Sequence, residues 1–366
     1  MFTVTLTSLF AVFLTYLSKY KKYGNLYKVA FIIITIIACI HYNFGTDYDN
    51  YYDIYSDISN FYSLDDISFS DGMFIEPGWT FLNIIFSSFG DPLGFIILVA
   101  FLNILQNYIY YKFIKIYVNP DNRWFAMSIY LFSSTFYILN FSMMRQGFAV
   151  SLIIGAAMLF LKNKYIWSFC LVLFAFLVHK SALIFLPFLP LGLSKFKNRK
   201  ILNIVLWSSV IVVFVFSTFT STLYSTIITT QTFEDYQGYD DFGTTSIGIG
   251  FFINLIPYLI ISYSLLRQKG ELSSPIVFMS VLMFVTLILI AFTLNNTLIG
   301  RLLYYFSVFS IVVVPNLYYR LKNPVVRYAM VGIYIFMLVW GYSDFFTPNN
   351  WAYEDYKTFH TIFEIF

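Results

Sequence analysis

Three basic residues, Arg145, Lys180 and Arg301, each stand where an apolar stretch of the chain begins. If these stretches are helices, the residues lie at helix N-termini, where the positive end of the helix dipole disfavours a cation. Helix stability therefore does not explain them. Backbone N–H groups at a helix N-terminus bind anions, and a guanidinium contacts phosphate oxygens in bidentate geometry. The three cations predict a phosphate or diphosphate site, with interfacial anchors or salt bridges to acidic loops as the alternative.

Polar residues follow two of these cations. Gln146 comes directly after Arg145, and Ser181 comes directly after Lys180. A serine hydroxyl in that position is suited to cap a helix N-terminus. Both neighbours add hydrogen-bonding groups to the predicted anion site.

Two residues are candidates for a general base near this site. His179 precedes Lys180, and imidazole is a common base because it titrates near neutrality. The other interpretation of His179 is a hydrogen-bonded histidine at the membrane interface. Asp47 and Asp49 follow the second apolar stretch, where a carboxylate could take a proton from a sugar hydroxyl, and the sequence leaves the choice between His179 and Asp47 open. These acids lack the glycine and distal glutamate of a calcium loop, so no metal is predicted.

The segment 44–78 combines aromatic and acidic residues. It contains nine aromatic residues, eight acids and no base. Aromatic faces and carboxylates match the apolar face and the hydroxyl groups of a sugar. Tyr48, Tyr51 and Glu76 are therefore candidates for substrate contacts. A belt of aromatic residues at the membrane interface is the alternative interpretation.

The composition restricts the kind of protein that can position these residues. Of 366 residues, 59% are apolar and only 11% are charged, which excludes an ordinary soluble domain. The net charge of +3 is too small to indicate nucleic acid as a partner. The two cysteines lie inside apolar stretches, and they support neither a disulfide scaffold nor a zinc site. The composition predicts a polytopic membrane protein in contact with membrane lipids.

Apolar stretches long enough to span a bilayer recur along the chain. Twelve are predicted as membrane helices: residues 2–18, 29–43, 93–111, 124–142, 146–161, 165–178, 182–194, 201–220, 249–266, 275–293, 302–319 and 326–343. The stretch 79–89 is too short to cross, so it is predicted as a re-entrant or interfacial helix. The predicted fold class is all-α, a polytopic integral membrane protein with residues 1–366 as a single membrane domain.

The distribution of charge predicts the orientation of these helices. If 79–89 does not cross, 18 of the 22 basic residues fall on one side, which the positive-inside rule assigns to the cytoplasm. Sixteen of the 19 acids fall on the opposite side. The loops 44–78 and 221–248, the tail 345–366 and both termini are then predicted outside. The three cations described first lie at the outer face.

Five short motifs occur in order over most of the chain. They are Gly45-Thr46-Asp47-Tyr48, Glu76-Pro77-Gly78, Met144-Arg145-Gln146, His179-Lys180-Ser181-Ala182-Leu183-Ile184, and Gly300-Arg301-Leu302 followed by Tyr304-Tyr305. Each motif is weak alone, and the ordered set is fairly specific. With this set the chain resembles the EpsG/Wzy-type family of bacterial exopolysaccharide and O-antigen polymerases.

The resemblance implies a reaction class and leaves the sugar open. Such polymerases transfer a growing glycan from undecaprenyl diphosphate to the terminal sugar of another lipid-linked repeat unit. The reaction takes place at the outer face of the bacterial cytoplasmic membrane. Donor and acceptor are both lipid-linked, and a chain-length regulator protein is a candidate partner.

The resemblance and the residues together assign roles. Arg145, Arg301 and Lys180 would hold the donor diphosphate and stabilise the charge that develops on it. His179 or Asp47 would deprotonate the acceptor hydroxyl, and Tyr304 is a further candidate for substrate contact. Because the diphosphate lipid is the leaving group, no nucleotide or soluble cofactor is expected.

Three other functions compete with this interpretation. An O-antigen ligase uses the same donor and is poorly separated by sequence. A flippase or transporter of lipid-linked oligosaccharide would need ionisable residues near the membrane midplane and paired repeats, which the apolar stretches lack. A membrane acyltransferase would need a histidine deep in a helix, whereas His179 lies at a helix boundary.

Overall fold

The computed structural model describes residues 2–61, 76–193, 203–209, 211, 249–267, 273–293, 300–321 and 323–346. Within these ranges the chain is helical and has no β-strand, which confirms the all-α prediction. The predicted loop 221–248, the tail from residue 347 and most of the predicted helix 201–220 lie outside the described residues.

Fourteen α-helices and one long 3-10 helix are described with full bounds. They are α1 (Phe2–Leu17), α2 (Leu26–Cys39), α3 (Tyr48–Phe61), α4 (Pro77–Ser87), α5 (Leu93–Tyr117), α6 (Arg123–Phe132), α7 (Leu139–Ser142), α8 (Met144–Leu161), α9 (Tyr165–Val178), the 3-10 helix Lys180–Leu193, α10 (Ile249–Arg267), α11 (Ser274–Thr293), α12 (Gly300–Ser307), α13 (Ser310–Tyr319) and α14 (Pro324–Phe345). Pro187 and Pro190 lie inside the 3-10 helix. Neither can donate a backbone hydrogen bond, which disfavours a regular α-helix there.

Four helical segments of the described chain are long and apolar enough to cross a membrane. They are Lys21–Cys39, Leu93–Tyr117, Met144–Leu161 and Pro324–Ser343, and a fifth span is possible if α12 and α13 count as one. These segments characterise a helical membrane protein, while the number of about twelve crossings stays a prediction. Helix α4 has 11 residues, which is too short to cross a bilayer.

The predicted helix 124–142 is broken, and the single-helix prediction was wrong. Helix α6 ends at Phe132, and α7 begins only at Leu139. The Ser133 hydroxyl contacts the Thr135 hydroxyl at 2.7 Å and accepts the Thr135 backbone N–H at 3.3 Å. A serine side chain that bonds the backbone two residues ahead competes with helical hydrogen bonding.

The predicted helix 302–319 is bent by 48° between α12 and α13. Pro315 lies within α13. A proline within a helix removes one backbone N–H donor.

The predicted loop 44–78 contains a helix, α3, that composition did not predict. Tyr48, Tyr51 and Tyr55 are buried on one face, whereas Asp49 and Asp53 are exposed on the other. The tyrosines recur at three- and four-residue intervals, so they form one helical face. Helix α3 packs against α4.

The chain forms two compact units, Met1–Leu186 with Leu338–Phe366, and Pro187–Met337. In the first unit α8 packs against α9 and α5, and α4 packs against α3, α5 and α9. The Ser168 hydroxyl of α9 donates to the Ala156 carbonyl of α8 at 2.8 Å. Such close approach of backbones is typical of membrane helices with small residues at their contact. In the second unit α11 packs against α12 and α13.

Candidate functional site

Glu76 is the residue before α4, and its backbone begins that helix. Its carbonyl accepts the N–H groups of Trp79 at 2.9 Å and Thr80 at 3.1 Å. Pro77 occupies the first helical position, where a missing N–H costs nothing. The Glu76 side chain makes no capping bond to its own helix. Its carboxylate is therefore directed to other elements.

Three donors from two other elements bind this carboxylate. Arg145 Nη1 lies 2.7 Å from Glu76 Oε2. His179 Nδ1 lies 3.1 Å from Glu76 Oε1, and the Lys180 backbone N–H donates to the same oxygen at 3.3 Å. The Glu76 side chain is only 7% exposed. We call these four residues, Glu76, Arg145, His179 and Lys180, the Glu76 cluster.

Gly78 allows α4 to approach α9 this closely. A Cβ atom at Gly78 would lie 2.7 Å from both the backbone carbon and the carbonyl oxygen of Leu177. Leu177 lies in the last turn of α9, just before His179. The absence of a side chain at Gly78 therefore brings the start of α4, with Glu76, against the end of α9.

Arg145 is positioned by the short break between α7 and α8. Met143 leaves the helical conformation, and α8 begins at Met144. The Arg145 guanidinium carbon lies 5.5 Å from the centre of the Tyr51 ring. The Tyr51 ring in turn lies 5.5 Å from that of Trp79. Arg145 is thus held between a carboxylate and a tyrosine.

The electrostatics of the cluster keep Glu76 ionised. Burial raises the pKa of Glu76, but the His179 hydrogen bond and the Arg145 charge outweigh burial and lower that pKa to about 2. Glu76 is therefore ionised and can only accept hydrogen bonds. Because its acceptor is a carboxylate, His179 Nδ1 must carry a proton. A neutral His179 then has Nε2 as a proton acceptor.

The segment that carries Asp47 docks on the residues just before Arg145. The Thr46 hydroxyl contacts the Ser142 hydroxyl at 2.6 Å. Gly45 has a φ of +120°, and a Cβ there would collide with the Phe141 carbonyl. A side chain is excluded for both reasons. Asp47 is half-buried, and its carbonyl accepts the Tyr51 N–H at 3.0 Å.

The remaining predicted residues of the first unit lie around this end of the bundle. Tyr48 is buried, with its ring 5.3 Å from that of His41. Gln146 is buried, Ser181 is half-buried, and Asp49 is exposed. Their predicted substrate contacts stay predictions.

Lys180 differs from Arg145 in its surroundings. Its side chain is exposed, and no side chain in the described part of the chain forms an ion pair with it. Among the described side chains, Glu76 balances the charge of Arg145, and none balances that of Lys180. Of the two cations in the cluster, Lys180 is therefore the one whose charge is less neutralised by the described residues.

Arg301 and Tyr304 belong to the other compact unit. Arg301 is exposed at the second residue of α12, and Tyr304 is half-buried one turn later. Arg301 thus begins a helix, as predicted. That Arg301 and Tyr304 share a site with the Glu76 cluster stays a prediction.

Sequence reasoning grouped Arg145, His179 and Lys180 but missed the role of Glu76. The chain separates Glu76 from Arg145 by 69 residues and from His179 by 103. No local spacing connects such distant residues. Two features of the sequence could have pointed to Glu76. A buried cation needs an acid, and the motif that contains Glu76 directly precedes a short apolar helix. Among the described residues, no group of His, Cys, Asp and Glu is arranged to hold a metal ion.

The fold and the Glu76 cluster define a helical membrane protein with a buried carboxylate that orients a histidine and a guanidinium at helix ends. The chain belongs to the EpsG family, whose model matches residues 24–354. No curated protein and no solved structure matches the chain.

Proposed function

We propose that this protein is a polysaccharide polymerase of the bacterial cytoplasmic membrane. It would transfer a growing glycan from undecaprenyl diphosphate to the terminal sugar of another lipid-linked repeat unit. The observation that carries this proposal is the Glu76 cluster, in which an ionised carboxylate holds His179 by Nδ1 beside two cations. Membership of the EpsG family supports a glycosyltransferase-like reaction.

The cluster provides the groups that such a reaction needs. The acceptor hydroxyl oxygen attacks the anomeric carbon of the donor, and its proton passes to His179 Nε2. The bond between the anomeric carbon and the phosphate oxygen breaks, and the electron pair leaves with the lipid diphosphate. Lys180 and Arg145 stabilise the charge on that leaving group. The donor already contains the bond that is exchanged, so no cofactor enters the scheme.

Other residues complete the proposal. Asp47 is the alternative base, since its segment docks beside Arg145. Arg301 would add a third cation at the diphosphate. Asp49, Tyr48, Tyr51, Gln146, Ser181 and Tyr304 would contact donor or acceptor.

The reaction itself is tested with purified full-length protein in lipid vesicles supplied with lipid-linked repeat units. A ladder of lengthening lipid-linked glycans is expected. Transfer only to a lipid A core would instead identify a ligase. Movement of the substrate across the bilayer without a new glycosidic bond would identify a flippase.

The proposed site faces the outside of the cell, and cysteine labelling tests this orientation. In a variant with Cys39 and Cys170 replaced by serine, Asp57→Cys in α3 should react with an impermeant maleimide in intact cells. Lys164→Cys, between α8 and α9, should react only after permeabilisation. Both positions are exposed. Labelling of Lys164→Cys in intact cells would contradict the proposed orientation.

Arg145→Lys should lower polymerisation by roughly 100-fold, although it keeps the charge. A lysine ammonium can pair with Glu76, but it lacks the planar, bidentate geometry with which a guanidinium binds a carboxylate and a phosphate together. Polymer formation by the purified variant is the measurement. The matched control is Arg320→Lys, at an exposed arginine that follows α13, which should retain activity. Normal polymer from Arg145→Lys would mean that Arg145 is only an interfacial anchor.

A further inference from the structure

A second cationic cluster lies at the other end of the first unit. Here α2 begins, α5 ends and α6 begins, about 36 Å along the 25-residue helix α5 from its start near α4. The chain around these helix ends contains one acid, Asp121, and seven basic residues: Lys19, Lys21, Lys22, Lys28, Lys112, Lys115 and Arg123. Two of these cations are held in a defined arrangement.

Arg123 and Lys115 are linked through the backbone of α5. Arg123 Nη2 donates to the Lys115 carbonyl at 2.9 Å. The Arg123 guanidinium carbon lies 5.2 Å from the centre of the Tyr27 ring. Stacking of a guanidinium on an aromatic ring fixes its plane.

Two tyrosines, Tyr27 and Tyr111, contact each other and the two cations. The Tyr27 and Tyr111 rings stack at 5.1 Å, and the Tyr27 hydroxyl donates to the Tyr111 carbonyl at 3.0 Å. Lys115 Nζ donates to the Tyr111 hydroxyl at 3.1 Å. We call Tyr27, Tyr111, Lys115 and Arg123 the cation clasp. Its two positive charges are held by rings, a hydroxyl and a carbonyl.

No carboxylate neutralises the cation clasp in the described ranges, where both ion pairs involve Glu76. Arg123 Nε is buried and has no acceptor there. Two cations without a counterion attract an anion, and an anion bound beside them would balance their charge. The arrangement is therefore preorganised for an anionic group.

The surface beside the clasp matches a lipid. Ile104 and Tyr108 are more than half exposed on α5 and lie one turn apart, leading toward Lys112, whose ammonium lies 5.3 Å from the Tyr108 ring. At the same end, Tyr16 and Trp124 pair edge to face at 6.3 Å, and such residues are typical of the level of lipid headgroups. An apolar stripe that ends at cations accommodates an acyl chain and its headgroup.

We propose that the cation clasp binds the phosphate headgroup of an anionic membrane lipid. Charge complementarity selects the headgroup, and the exposed stripe of α5 accepts the acyl chain. The site is independent of the proposed polymerase reaction.

The test uses full-length protein in neutral detergent. Its thermal unfolding midpoint is measured during titration with phosphatidylglycerol, with phosphatidylcholine and with inorganic phosphate. Phosphatidylglycerol should stabilise the protein at a concentration roughly tenfold or more below that of phosphatidylcholine. The double variant Lys115→Gln, Arg123→Gln should lose this preference. The control double variant Lys162→Gln, Lys164→Gln removes the same charge between α8 and α9 and should keep it.

Three results would overturn the proposal. One is an equal loss of preference in the control, which would mean a general effect of charge. Another is equal stabilisation by inorganic phosphate, which would mean a free-anion site. If the clasp variant does not fold, the salt dependence of the wild type decides, because the preference for phosphatidylglycerol must weaken as salt rises. A preference that does not change with salt would contradict headgroup binding by the two cations.

Discussion

Replacing His179 with alanine is expected to lower the turnover of lipid-linked repeat units by roughly 100- to 10,000-fold. The reason is the position of the imidazole. Glu76 holds it by Nδ1 at 3.1 Å, so that Nε2 can take the proton from the hydroxyl group of the acceptor sugar. Alanine removes the base and leaves the cations in place. The measurement is the initial rate of polymer formation by purified protein in vesicles.

Asp47→Asn is the comparison that decides the identity of the base. Asp47 is half-buried beside the start of α8, but no described side chain holds its carboxylate as Glu76 holds His179. We therefore expect a smaller loss from Asp47→Asn than from His179→Ala. The reverse order would make Asp47 the base. Near-wild-type rates in both variants would leave catalysis to stabilisation of the leaving group by the cations.

The helices were largely predictable from the sequence. Helix α9 was predicted at 165–178 and has these bounds, and α8 begins two residues before its predicted start. Long apolar stretches determine such helices almost alone. The break after Phe132 was not predictable from hydropathy, because it depends on a Ser133 side chain that competes with the backbone.

The candidate site was predictable in its parts but not in its centre. Arg145 and His179 were identified by type and position, and the structure brings them to one carboxylate. Tyr51 was expected to face a sugar, whereas its ring is buried, 5.5 Å from that of Trp79 and 5.5 Å from the Arg145 guanidinium carbon. Which acid lies between distant cations depends on helix packing, above all on the contact of Gly78 with α9. No spacing in the sequence encodes that contact.

Glu76→Gln should abolish most activity while it preserves the shape of the side chain. The glutamine amide group would present N–H donors to Arg145 or His179. When an amide N–H faces His179, the imidazole changes tautomer so that Nδ1 becomes a hydrogen-bond acceptor. Its Nε2 would then carry the proton and could not serve as base. We expect turnover to fall roughly 100- to 10,000-fold. Glu76→Asp, which keeps the charge, should recover part of this loss.

The same variant has a second, independent readout in stability. Breaking a buried ion pair by removing one partner costs about 3–5 kcal/mol, measured as a lower free energy of unfolding in detergent. The pKa of Glu76 is lowered to about 2, so its stabilising contribution is complete above the ordinary glutamate pKa. It is lost as pH falls through about 2. The stability difference between wild type and Glu76→Gln should therefore shrink in strong acid.

Gly78→Ala separates the position of the Glu76 carboxylate from its charge. The added methyl would lie 2.7 Å from the Leu177 backbone, so α4 must move away from α9 and lengthen the contact between Glu76 and His179. Activity should fall with the carboxylate still present. Gly341→Ala is the matched control, because a Cβ there meets nothing within 4 Å, and it should remain active. Full activity in both Gly78→Ala and Glu76→Gln would mean that Glu76 stabilises the fold without orienting His179, because neither moving nor neutralising the carboxylate would then affect the reaction.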